Sequence, residues 1–298
     1  MSRPCSGRRP MERRDVVIIG GGPAGLSAGR RFSELGIAAT VLEREQQAGG
    51  IPRHCGHLGF GWQSHRRIWT GPRFAQQLRA DSEKLDLRTG HTVLGIDGDI
   101  LRVQNAQGIH DMSAGRILLA TGTRESPRAP RFVGGARPRG VMTTGALQAN
   151  VYLQNFKPFE RPVIIGSELV AFSAILTCRH FGIRPVAMIE AQDSISAPRT
   201  GDLVARLLYG VPVWTKTKLV AIEGRAQVEA VEIEREGRHE RVACDGVIFT
   251  GQWVPEAALL VNRPKVTLAG NVHGALKTSG ACWREGRAIA EKMAGELA

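Results

Sequence analysis

Gly20, Gly22 and Gly25 stand in G-x-G-x-x-G spacing inside DVVIIGGGPAGLSAGRRFSELGIAATVLE, residues 15–43. An apolar run, Val16 to Ile19, precedes them and has the length of a strand buried on both faces. A helix-length segment follows, then a second apolar run, Ala38 to Leu42, closed by Glu43. Each glycine has a mechanical reason in such a strand–turn–helix–strand unit. Gly20 permits the tight turn, Gly22 lets bare backbone approach a pyrophosphate, and Gly25 lets helix and strand pack closely. Pro23 and Ala24 open the helix, whose unpaired N–H groups face the phosphates. Glu43 lies 23 residues beyond Gly20, where a carboxylate can accept hydrogen bonds from a ribose. The stretch predicts a dinucleotide site.

At 298 residues the chain has room for two modest domains. No apolar run reaches the length of a membrane span, so none is expected. The basic stretch 1–14 is expected to be disordered rather than an export signal, because the apolar run after it is the first strand of the nucleotide fold. The chain reads as cytoplasmic. Its formal charge of +12 raises nucleic acid as a partner. The basic residues are scattered and no nucleic-acid-reading motif accompanies them, so no nucleic acid is expected. A basic surface also suits anionic dinucleotides and an acidic partner. Cys5, Cys55, Cys178, Cys244 and Cys282 are odd in number and far apart, which predicts reduced thiols. No C-x-x-C occurs, so a thioredoxin-type redox pair is not expected.

Beyond Glu43 a glycine-rich stretch, Arg44 to Gln63, reads as one long loop, of the kind that tends to be functional. Pro72 to Leu85 reads as a helix, and 92–119 as a β-meander of four short runs ending in a buried strand. Residues 123–140 read as a crossover, and 144–154 as a short helix. At Arg161 the opening pattern returns: RPVIIGSELVAFSAILTCRHFGIRPVAMIEA, with Gly166 at the turn and Glu190 24 residues later. A second meander and VIFTG follow, mirroring the first unit's LLATG. Residues 266–271 read as a strand and turn, and Ser279 to Leu297 as a closing amphipathic helix. An internal repeat of this kind predicts two α/β Rossmann-like folds, the second inserted in the first. The boundaries expected are 15–123 plus 252–298 for the first fold and 124–251 for the second with its linker.

The copy departs at one informative place. Glu168 stands where the second glycine belongs, with Ala171 at the third position, where alanine is tolerated. A carboxylate beside a pyrophosphate leaves two readings open, a pyridine-nucleotide site or a purely structural fold.

These landmarks, in this order, resemble the flavoproteins with two dinucleotide-binding domains, the superfamily of thioredoxin reductase. The resemblance implies FAD in the first fold and NAD(P)H in the second, with hydride passing between them. It carries Gly20, Gly22, Pro23, Ala24, Gly25, Glu43 and Arg44 onto the FAD fingerprint. Gly49 and Gly50 match the glycine pair beyond it, and Ala120-Thr121-Gly122 the exit motif. Gly270-Asn271 match the Gly-Asp pair at the ribityl chain, with asparagine replacing the usual aspartate. Gly166 and Glu190 fall to the second nucleotide, and a carboxylate at 190 favours NADH over NADPH; the alternative is a solvated strand end. The nineteen residues between Gly251 and Gly270 are fewer than the family leads one to expect, which implies that a strand completing the first fold is missing. GGIPRHCGH, GSELVAFSAI and FTGQWVPE are similar to a branch without redox cysteines. That branch includes FAD subunits of amino-acid and opine dehydrogenases and of hydrogen cyanide synthase. It implies a small-molecule or protein electron acceptor, with an iron–sulfur protein or second flavoprotein as partner.

No catalytic residue is assigned. Candidates are His54, Cys55 and His57, with Arg53, in the loop that the family passes near the flavin; the roles considered are proton relay or substrate contact. As metal ligands the three crowd into four residues without an evident fourth, so no metal is expected. The favoured reading is an FAD-dependent NAD(P)H oxidoreductase. Its alternative is an FAD-binding electron-transfer or scaffold subunit that binds no pyridine nucleotide.

Overall fold

The computed structural model describes residues 11–196, 209–261, 266–274 and 276–297. Residues 1–10, with Cys5, therefore lie outside the described part. The expected disorder does not extend to residue 14, because strand β1 (Glu12–Ile19) begins two residues before that. Its outer half alternates half-buried and exposed, whereas Val16, Val17 and Ile18 are fully buried. That change marks where the strand passes between layers.

The chain continues through α1 (Pro23–Glu34), β2 (Ala39–Leu42), β3 (Leu58–Phe60), α2 (Trp62–His65), β4 (Trp69–Thr70) and α3 (Gly71–Ala80). Helix α3 stops five residues short of the expected end. Asp81 serves as its C-cap, and a turn closed by Leu85 N–H to Ser82 C=O, 3.0 Å, follows. Next come β5 (Asp86–Arg88), β6 (Thr92–Asp97), β7 (Ile100–Asn105) and β8 (Gly108–Leu119). The two last meander runs are one twelve-residue strand. Its first half pairs antiparallel with β7, its second half parallel with β1.

The first sheet runs β5-β2-β1-β8-β7-β6. The chain then leaves it through β9 (Thr123–Glu125), β10 (Gly134–Gly135), β11 (Val141–Thr143) and α4 (Thr144–Gln154), capped by Thr143. The repeat supplies β12 (Pro162–Ile165), α5 (Leu169–His180), β13 (Ala187–Ile189) and β14 (Val213–Trp214). The second meander is β15 (Thr217–Glu223), β16 (Ala230–Arg235) and β17 (Arg238–Ala243), followed by β18 (Gly246–Phe249). Strands β11, β18, β12, β13 and β14 lie in that order, all parallel. The return runs through β19 (Trp253–Pro255), antiparallel to β9, and β20 (Thr267–Leu268), then closes with α6 (Ser279–Gly295).

The strand expected to be missing is present in two residues. Thr267 and Leu268 pair in parallel with Leu118 and Leu119 at the end of β8, returning the chain to the first sheet. Helices α1 and α6 pack through small residues. A Cβ at Gly286 would lie 2.1 Å from the Ala24 carbonyl oxygen, and Ser27 Oγ donates to the Trp283 carbonyl at 2.7 Å. Phe32, Phe74, Leu78 and Leu118 fill the core beneath. Each such side chain contributes about 1.5–3 kcal/mol by its burial.

Candidate functional site

The predicted glycines converge at the amino end of α1, at the carboxyl ends of β1 and β8. Gly20 turns the chain at φ +111, and a Cβ there would lie 2.5 Å from the Ala120 carbonyl oxygen. No other residue fits. Gly25 is equally constrained, since its Cβ would meet the Gly20 carbonyl oxygen at 1.9 Å. Gly22 differs from both: at φ −83 its added Cβ would find only Gly50 Cα, at 3.9 Å. The fold does not need a glycine there. Leaving that position bare keeps open the space in front of the helix N-terminus, which is the condition for an approaching diphosphate.

The second glycine pair closes on the first. Gly49 N–H donates to the Gly21 carbonyl at 2.7 Å, and a Cβ at Gly50 would lie 3.0 Å from Gly22 Cα. Gly270 comes up against Ala24 from the other side, with a Cβ–Cβ separation of 3.0 Å if it carried a side chain. Thus Gly20, Gly22, Pro23, Ala24, Gly25, Gly49, Gly50, Ala120, Thr121 and Gly270 line one cradle. Gly122, at φ +76, leads out of it, and Thr121 Oγ1 donates to the Glu256 carbonyl at 2.7 Å, fastening the exit motif to the return strand. Arg44 is exposed beside Glu45.

Glu43 has structural work that spacing does not reveal. Its Oε2 accepts from Gly21 N–H and its Oε1 from Glu45 N–H, both at 2.8 Å, in a carboxylate only 7% exposed. Each oxygen keeps a second lone pair for a ribose hydroxyl. Asn271 is similarly engaged: Oδ1 accepts from Lys277 N–H at 2.8 Å, and Nδ2 donates to the Lys277 carbonyl at 3.2 Å. A carboxylate does reach this turn, from α6. Glu285 Oε2 accepts from Gly270 N–H at 2.9 Å while Oε1 pairs with Lys277 Nζ at 2.7 Å. No spacing rule points to Glu285.

The second turn is built alike but filled. A Cβ at Gly166, φ +113, would strike Thr250 Oγ1 at 2.1 Å. Glu190, 8% exposed, accepts from Gln192 N–H at 3.0 Å, as Glu43 does from Glu45, and from Ser167 Oγ, which replaces the Gly21 amide. Glu190 is therefore a buried acceptor rather than a solvated strand end. Glu168 folds back into the turn, its Oε2 accepting from Thr250 Oγ1 at 2.6 Å. Arg131 holds the same corner, with Nη2 donating to the carbonyls of Thr250 and Gly251 at 2.8 and 2.9 Å and its guanidinium over Phe249. In this arrangement the residues present do not fit a pyrophosphate. A cavity of about 450 Å³ lies elsewhere on the second fold, between the linker and the ends of β11 and β18, lined by Arg128, Arg137, Met142, Thr143 and Phe249 among others.

The three catalytic candidates are split. His54 and Cys55 end a 3₁₀ turn (Ile51–His54) that packs on α4. Cys55 Sγ donates to Gln148 Oε1 at 3.3 Å, and burial pushes its thiol up to about 12, so it stays protonated. Burial and the neighbouring Arg53 hold His54 below the usual imidazole range, as a neutral ring. His57 points away, with Nδ1 against the Leu58 carbonyl. Among the described residues no group of three His, Cys, Asp or Glu side chains is placed to hold a metal ion, and Cys55, Cys178, Cys244 and Cys282 are unpaired and buried.

Two α/β folds, one interrupting the other, each with a glycine turn at the helix entrance, make a two-Rossmann architecture. The chain belongs to the pyridine nucleotide-disulphide oxidoreductase family, which matches residues 14–273. Among curated relatives it is 29% identical to hydrogen cyanide synthase subunit HcnB of Pseudomonas protegens, over 59% of this chain and 38% of that protein. It is 25% identical to sarcosine oxidase subunit alpha of Rhizobium meliloti, over 95% of this chain and 30% of that protein. The chain thus spans well under half the length of these relatives. Its fold superposes on thioredoxin reductase from T. acidophilum with a TM-score of 0.80 at 18% identity, covering 96% of this chain and 99% of that one. L-proline dehydrogenase from P. horikoshii gives 0.69 at 17%, covering 97% and 57%. No helix among the described residues is long and apolar enough to cross a membrane.

Proposed function

We propose that the chain is an FAD-dependent oxidoreductase that exchanges electrons with a small acceptor or a partner subunit, and that its second fold serves without a bound pyridine nucleotide. The observation that carries the first half is Gly22. Its φ of −83 tolerates any side chain and its Cβ position is open, so the need for glycine comes from something outside the chain. In this reading Gly20 to Gly25 and the first amides of α1 hold the diphosphate, and Gly49-Gly50 and Ala120–Gly122 border the cofactor. Glu43 serves the ribose, with Arg44 flanking it, and Gly270-Asn271 face the ribityl chain. FAD, when bound there, supplies a two-electron carrier that no side chain of this protein provides. Support for a partner comes from relatives that are named as subunits of a synthase and of oxidases. Four unpaired thiols support a reducing, cytoplasmic setting.

Glu168 carries the second half, because its carboxylate occupies the turn where the second diphosphate belongs. One observation favours the other reading, NAD(P)H as the direct donor: Gly166 and Glu190 keep the geometry of Gly20 and Glu43, and a carboxylate at 190 selects NADH. Anaerobic mixing decides between them. NADH and NADPH are expected to leave the flavin of the purified protein oxidised, while rapid bleaching by either assigns the donor role to the second fold. Failure of carefully refolded protein to take up FAD overturns the first half.

A further inference from the structure

Between Glu45 and Asp81 the chain contains no acidic residue, against five arginines and three histidines. Much of this stretch is the excursion of β3, α2 and β4. At its tip Trp62 and Ile68 are 56% and 63% exposed, with Leu58 at 66% on the same hairpin. Arg66 and Arg67 stand between them, also exposed, and Arg66 lies over the Trp62 ring at 5.9 Å. Among the described residues neither arginine has an ion pair.

The tip is held from behind. His65 Nε2 meets Asp81 Oδ2 at 2.8 Å and its Nδ1 meets Ser64 Oγ at 2.7 Å, while its ring packs against Trp69, Phe74 and Trp283. Gly61 at φ +88 and Arg66 at φ +56 bracket α2, and a Cβ on Gly61 would lie 2.7 Å from the Trp69 ring. Apolar side chains and unpaired cations are therefore presented on a backbone already fixed, which lowers the ordering cost of docking. Trp and Arg on a rigid apolar tip are the composition of an interface anchor.

Resting on the reading that this chain works with a partner subunit, we propose that the Leu58–Ile68 tip is where that partner docks. The partner is a protein presenting carboxylates around an apolar recess. The uniform positive charge opposes a second copy of this chain, since the patch would face itself. A four-residue helix is too short to lie in a membrane interface, and one exposed aromatic does not make a stacking platform for nucleic acid.

The test begins with full-length chain purified at low salt from the native cells. The most abundant co-purifying protein is identified, produced separately and titrated back. Expected results are a fall in affinity of at least 100-fold in a Trp62→Ala/Ile68→Ser variant, a comparable fall in R66E/R67E, and amide-exchange protection centred on 58–68. Binding that weakens with added salt adds support. The proposal is overturned if the chain purifies alone, if both variants bind like wild type, or if protection falls elsewhere. It is equally overturned if the tip variants abolish self-association, or binding to phosphatidylserine vesicles or single-stranded DNA, and leave the protein partner bound. FAD content, read from the same preparations, reports the cofactor site independently, so loss of one reading is not mistaken for loss of the other.

Discussion

The two folds share a backbone and differ in what their turns contain. In the first, Gly20 N–H donates to the Leu42 carbonyl and Glu43 N–H to that of Arg88; in the second, Gly166 donates to Ile189 and Glu190 to Trp214. All four distances are 2.8 or 2.9 Å. Yet Gly22 leaves its turn open, while Glu168 fills the corresponding place and binds Thr250. On the reading proposed above, backbone geometry alone does not make a nucleotide site. On that reading, what the second position of the glycine motif puts in front of the helix decides whether an anion can arrive.

The largest effect expected on this contrast is from Gly22→Val. Because the Cβ position is free, the variant folds with the melting temperature of flavin-free wild type but purifies colourless, with FAD affinity lowered by roughly 100-fold or more through loss of close backbone approach. Yellow variant protein with wild-type FAD content breaks the assignment of the cradle.

Next comes Gly25→Ala, set against Ala171→Gly. The first forces a methyl onto the Gly20 carbonyl and is expected to cost about 3 kcal/mol by overpacking. The second removes a methyl that the second fold accommodates in α5, at about 1 kcal/mol from helix propensity. Urea titration of the two variants measures both. Equal costs remove the asymmetry between the turns.

Glu168→Gly should convert the closed turn to the open kind. About a tenfold gain in NADH affinity is expected, seen by fluorescence titration, as a repelling carboxylate leaves the helix entrance. A wild-type chain that already binds NADH as well as the variant shows that Glu168 is no barrier.

What the sequence made legible follows from how local each constraint is. The glycine spacing, the run Val16–Ile19 and the repeat at Arg161 are contiguous patterns, and they placed both folds and the carboxylates at 43 and 190. Features made by distant pairings were not visible. Strand β20 falls within the strand expected at 266–271, but its place beside Leu118 and Leu119 in the first sheet was not legible. Glu285 reaches Gly270 from the next helix, and Arg131 reaches Thr250 from the linker; neither stands in a motif. Ser167 offered one usable signal. Aligned with Gly21, it brings a hydroxyl opposite Glu190, which foretells that this carboxylate has an internal donor.

The smallest expected effect belongs to the link between the folds. Glu125, on β9, is buried, and its Oε2 accepts from Gly145 N–H at 2.7 Å in the first turn of α4. Burial raises its carboxyl above the ordinary value despite that bond, with Arg131, Thr144 and the Cys55 thiol as neighbours. A carboxyl whose folded pKa lies above its unfolded one binds its proton more tightly in the native state. Its stabilising contribution is therefore full below the unfolded pKa and is lost as pH rises through the folded one. Glu125→Gln keeps an acceptor for Gly145 and removes the titration, so the variant should lose that part of the fall in stability with rising pH. One proton bounds the difference in slope at about 1.4 kcal/mol per pH unit. Denaturant titrations of wild type and variant across that range measure it. Parallel curves would show that Glu125 carries no such linked proton.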